Sequence, residues 1–131
     1  MLVAARAFRP INKVLIAFDG GPSALKAIDH VARSPLFSGL ALRVVMVGGE
    51  AAAAGRQLDT AASTLKAGGH AAEVHHEPGV ADKVIAAEVA AGGIDLLVMG
   101  AYGHSRIRTL VIGSTTSEMI RSCEIPILLF R

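Results

Sequence analysis

The chain has 131 residues, 52% of them apolar and 18% charged. That is enough apolar surface for one core, and the charge content is below that of disordered chains. Thirteen basic residues are set against eleven acidic ones, for a net charge of +2 without a long block of either sign; a nucleic-acid-binding stripe is therefore not expected. The longest stretch without a formal charge is Leu96–Ser105, ten residues, against the ~20 apolar residues of a membrane span. The N-terminal residues lack the apolar run of a signal peptide, and the single cysteine, Cys123, cannot form an internal disulfide. These features read as a cytoplasmic, single-domain protein.

In chain order, Val14–Phe18 is a continuous apolar run ending in Asp19-Gly20-Gly21-Pro22, as in a strand buried on both faces. Pro22 suits the first turn of a helix, whose apolar face is expected from Leu25, Ile28, Val31 and Ala32 and whose end is marked by Ser34-Pro35. Leu42–Val47 is a second strand, stopped by Gly48-Gly49. A helix starting near Ala51–Ala54 follows, with Leu58, Ala61, Ala62 and Leu65 at helical spacing. Ala71–His76 is more polar and reads as an edge strand. His75 and His76 are adjacent, so in a strand they face opposite sides and cannot share a metal; both are expected to be exposed. After Pro78-Gly79, Ala81, Val84, Ile85 and Val89 form the face of a third helix that ends at Gly92-Gly93. Ile94–Met99 is a fourth strand, Ser117–Ser122 belongs to a fourth helix, and Ile125–Phe130 is the last strand. Strict alternation of strands and helices predicts a parallel sheet with helices on both faces.

In such sheets ligands bind beyond the carboxyl ends of the strands. Three segments qualify: Asp19-Gly20-Gly21, Val47-Gly48-Gly49, and the long stretch from Gly100 to Thr116. In the last, Gly103 follows Gly100 closely, and Gly113-Ser114 stands directly before a helix. Glycines admit a ligand close to backbone N–H groups, and a helix start favours an anion. Ser114, Thr115 and Thr116 add hydroxyls. The same residues also fit an ordinary capped turn, with Thr115 and Glu118 as a capping box. Arg106 and Arg108 lie between the glycines within reach of phosphate, and His104 follows Gly103; a solvated loop accounts for the two arginines equally well. Tyr102 fits a ligand contact or loop packing, and Cys123 has no activating neighbour in sequence.

The arrangement Gly-x2-Gly-x9-Gly-Ser, at Gly100, Gly103, Gly113 and Ser114, resembles the nucleotide-binding motif of the ATP-binding branch of the universal stress protein family. Lys13–Gly20 is similar to that family's first strand with its terminal Asp, Asp95–Gly100 to its fourth, and Ile125–Phe130 to its last. The resemblance implies a three-layer α/β/α sandwich of the adenine-nucleotide α-hydrolase-like type, with a five-stranded parallel sheet of order 3-2-1-4-5. It also implies bound ATP, or AMP or ADP, with or without Mg²⁺ or Mn²⁺. Asp19 would then sit near the ribose or adenine and Val47 would line the adenine pocket. Met99 and Gly100 would lie under the ribose and phosphates. Gly103, Gly113, Ser114, Thr115 and Thr116 would surround the phosphates, with His104 and Arg106 nearby. The family further implies a homodimer through the last strand.

The chain departs from the family at several points. Gly21-Pro22 stands where a Ser often follows Asp-Gly, and Thr115 replaces a frequently apolar residue. The segment between strands two and three is short. Phe8-Arg9-Pro10 is similar to the linker before the second half of tandem members, so residues 1–10 are assigned as an arm or linker and 11–131 as the domain. No general base is evident beside the glycines, so a regulatory binding module with at most slow ATP hydrolysis is expected. Two alternatives fit less of the sequence: a nucleotide-free dimerising module, and an adenylating enzyme like the ATP pyrophosphatases, whose Ser-Gly-Gly-x-Asp-Ser loop Asp19–Ser23 only partly matches.

Overall fold

The structure, a computed structural model, describes residues 2–3, 10–100 and 125–130. Its strands are β1 (Leu2–Val3), β2 (Lys13–Ala17), β3 (Ala41–Val47), β4 (Ala72–Glu77), β5 (Leu96–Gly100) and β6 (Ile127–Phe130). Its helices are α1 (Pro22–Arg33), α2 (Ala51–Ala67) and α3 (Ala81–Gly92), with a short 3-10 turn at Pro35–Phe37. One sheet runs in the order β1-β6-β5-β2-β3-β4, and β2 to β6 pair in parallel throughout. Counted over those five strands the order is the expected 3-2-1-4-5. To it is added β1, antiparallel on the outer edge of β6 with Leu2 opposite Leu128 and Val3 opposite Ile127. The expected helix at Ser117–Ser122 lies outside the described residues, as do Tyr102, Arg108 and Cys123.

The apolar runs are continuous because both faces of the sheet are covered. Val14, Ile16, Val44 and Val98 point to one face, where α1 and α2 bring Ala27, Ile28, Val31, Leu58 and Leu65. Leu15, Val45, Leu97 and Ile127 point to the other, where α3 brings Ile85 with Ala81 and Val89 partly buried. Each such Val, Leu or Ile contributes about 1.5–3 kcal/mol by burial. Arg43 reaches across from β3 to Glu88 of α3 at 3.3 Å and ties that helix to the sheet.

Two details differ from the sequence reading. Leu25 is 49% exposed, because the buried stripe of α1 is Ala24, Ala27, Ile28 and Val31 and Leu25 lies one residue, ~100°, off Ala24. The fourth strand starts at Leu96 because Asp95 has another task. Its carboxylate Oδ2 accepts hydrogen bonds from the backbone N–H groups of Asn12 (2.9 Å) and Lys13 (3.0 Å). The Asp95 N–H donates to Lys13 O at 2.9 Å.

Gly55 lies inside α2 with nothing within 4 Å of where a Cβ would sit. Gly55→Ala is therefore expected to stabilise the fold by about 0.5–1 kcal/mol through helix propensity alone. Urea denaturation checks this, and a lower midpoint would contradict the open space.

Candidate functional site at the carboxyl rim of the sheet

Ala17, the last residue of β2, stands opposite both Val45 and Met99. Asp19 and Val47 each follow two residues beyond these partners, and Gly100 follows one. All three therefore reach the same rim. From β2 the chain proceeds on one side through β3 to β4 and on the other through β5 to β6, so the rim between β2 and β5 is where strand order reverses.

Phe18 N–H donates to Val45 O at 2.8 Å, carrying β2 one residue past its ladder. The turn that follows is made by Asp19, whose Oδ1 accepts from Gly21 N–H at 2.8 Å. This is an Asx-type turn, and it delivers the chain into α1 with Gly21 as N-cap and Pro22 at the first position. Ordinary turn chemistry thus occupies one carboxylate oxygen of Asp19. Oδ2 takes no hydrogen bond among the described residues, which leaves an acceptor at the rim for a ligand hydroxyl or amino group.

Gly100 has a packing reason of its own. A Cβ there would lie 2.8 Å from the Ser23 Cβ and 3.2 Å from the Ala24 nitrogen. The end of β5 and the first turn of α1 touch, and only a residue without a side chain permits it. Met99 is 4% exposed and packs in the core on the α3 side; what it offers the rim is backbone. Val47 is half-buried against the same core.

Two contributors at the rim were not anticipated. His76 is half-buried, contrary to the expectation of two exposed histidines, and its Nε2 lies 2.7 Å from Gly48 O. A carbonyl can only accept, so Nε2 carries the hydrogen. Together with the Gly48 N–H donating to Glu77 O at 2.8 Å, this fixes the backbone directly after Val47. His75 faces the other way, 3.9 Å from the Glu73 carboxylate. Gln57 of α2 places its side-chain oxygen 2.6 Å from where a Cβ on Gly20 would stand, so its amide covers the Asp19-Gly20 turn.

The structure therefore brings together Asp19, Val47, Met99 and Gly100. Gly103, His104, Arg106, Gly113, Ser114, Thr115 and Thr116 lie outside the described residues. Among the described residues no group of three or more His, Cys, Asp or Glu side chains could hold a metal ion, and no helix is long and apolar enough to cross a membrane.

Residues 48–131 match the model of the universal stress protein family. Universal stress protein Slr1230 of Synechocystis sp. is 43% identical over 132 residues, covering 99% of this chain and 46% of the relative. The chain thus spans about half the length of that curated relative. Among solved structures, the hypothetical protein MJ0577 superposes with a TM-score of 0.83 at 18% identity, over 92% of this chain and 95% of that one. A universal stress protein in complex with cAMP gives 0.77 at 24% identity, over 92% and 97%. The universal stress protein from Archaeoglobus fulgidus in complex with dAMP gives 0.70 at 18%, over 93% and 98%. At those identities the structural likeness concerns the fold. The family match covers well over half of the sequence and takes in β4, β5 with its glycine-rich continuation, and β6: this chain belongs to the universal stress protein family.

Proposed function

We propose that the chain is a cytoplasmic regulatory module that binds an adenine nucleotide, ATP by preference, at the carboxyl rim of β2, β3 and β5. The observation that carries this reading is the position of Gly100. It ends β5 within one residue of the level of Asp19 and Val47, and the Gly-x2-Gly-x9-Gly-Ser sequence continues directly from it. Two proteins of the same fold are complexes with cAMP and dAMP, which supports an adenine ligand. In this reading Asp19 Oδ2 accepts from the ribose or adenine. Val47, held by His76 through Gly48, packs against the base. Gly103, Gly113, Ser114, Thr115 and Thr116 hold the phosphates with backbone N–H and hydroxyl groups, and His104 and Arg106 add charge-assisted contacts. A divalent ion, Mg²⁺ or Mn²⁺, would rest mainly on phosphate oxygens, neutralising charge there. Hydrolysis is slow at most, and copies pair as a homodimer through β6.

Mass spectrometry of ligand released from the purified protein by denaturation, followed by calorimetric titration with ATP, ADP, AMP and cAMP, tests the ligand. An Asp19→Ala variant should weaken binding of each by about tenfold, the loss of one hydrogen bond to a charged acceptor. Unchanged affinity for all four would remove Asp19 from the site.

A further inference from the structure

The outer edge of β6 is already occupied. Leu2–Val3 pairs with it antiparallel, Leu2 opposite Leu128 and Val3 opposite Ile127, although residues 1–10 carry no strand pattern. We propose that Leu2–Val3 is an intramolecular cap that competes with a second copy of this chain for the β6 edge. The inference rests on the β6 pairing of copies proposed above and adds what controls it.

Backbone groups on a strand edge can pair only once. Leu97 N–H donates to Pro126 O, so along β6 the groups of Leu128 face β5 and those of Ile127 face outward, where they cannot serve β1 and a neighbouring molecule together. β6 is Ile-Leu-Leu-Phe, four residues without a charge. Such an edge is a template for another strand unless something covers it. The cap is only two residues long and lies opposite Ile127 and Leu128.

A second copy is the occupant that fits best. Antiparallel pairing of β6 with itself about a two-fold axis is self-complementary, and no like charges are opposed. The edge also accepts, from its own chain, an antiparallel Leu-Val pair close in character to its own Leu128-Leu129. β6 is four residues long and the cap two. The cap, however, is tethered through residues 4–12 and competes at an effective concentration of ~1 mM. The balance is therefore set by protein concentration and by whatever draws the arm away.

The test compares the 131-residue chain with a Leu2→Pro/Val3→Pro variant, in which neither residue can donate a ladder hydrogen bond. Sedimentation over a concentration series should give a dimer about tenfold tighter for the variant. At concentrations where both are monomeric, the amide of the Ile127–Leu128 pair that faces β1 should exchange with solvent faster in the variant. Equal dissociation constants with equal exchange would overturn the cap. A weaker dimer in the variant would overturn it too, showing the arm bridging copies. Absence of dimers from both chains would remove the pairing reading and the cap with it. ATP titration of the same samples reports separately on the nucleotide reading.

Discussion

Gly68→Ala is expected to destabilise the fold by about 3 kcal/mol or more, lowering the melting temperature by roughly 10 °C. Gly68 is the C-cap of α2 at φ −84°, ψ 2°, a backbone conformation open to any residue, so local propensity does not resist the change. The obstacle is steric. A Cβ at this position would lie 1.9 Å from Ala32 O, 2.6 Å from Ala32 C and 3.0 Å from Ala32 Cα. All three are backbone atoms of α1, so no side-chain rotation relieves the overlap. The helix ends must separate, and Val31 and Leu65, both 0% exposed, must loosen with them. Because Gly55→Ala in the same helix carries the opposite sign, the two variants measured side by side in urea separate propensity from packing. A Gly68→Ala protein as stable as the parent would mean that α1 and α2 do not meet at this point.

Gly113→Asp should reduce ATP affinity about 100-fold or more while leaving the melting temperature within a few degrees. The new carboxylate would face phosphates that the proposed site holds with neutral N–H and hydroxyl groups, and like charges brought together cost several kcal/mol. About 2.7 kcal/mol is already a factor of 100. The repulsion acts on phosphate, so adenosine, lacking it, should lose much less. Calorimetry with both ligands reads the difference. Equal losses would point to a collapsed pocket, and no loss for ATP would detach the glycine motif from binding.

Much of the sheet was legible because residues that must be apolar on both faces form unbroken runs. Val14–Ala17 and Leu96–Met99 could hardly be anything else once turn residues bounded them. The expected edge character of the third predicted strand also holds, as β4 closes one side of the sheet. What the pattern could not show were pairings between distant segments. Leu2–Val3 has no periodicity to announce it; its partner lies at the opposite end of the chain. Likewise, Asp19 was legible as a strand-end acid, but the division of labour between its two oxygens depends on the turn to Gly21. Gln57 carried no signal, since its place over Gly20 follows from how α2 crosses the sheet. His76 was misjudged for a related reason. The edge was correctly located, yet the loop after β3 folds over it and supplies the carbonyl at Gly48.

The carboxylate of Asp95 has a consequence at the level of alignment. In strands buried on both faces, Leu15 and Ile16 or Leu97 and Val98 are nearly interchangeable, so sliding β5 by one residue along β2 would still bury apolar side chains on each face. Apolar alternation, which fixes alignment in one-sided sheets, says little here. A side chain that collects the N–H groups of both Asn12 and Lys13 distinguishes the native offset from its neighbours by two hydrogen bonds. It does so at the amino end of the two strands whose opposite ends carry Asp19 and Gly100. A small error at that lock would be transmitted along rigid backbone to the rim, where it would change the offset between Asp19 and Gly100.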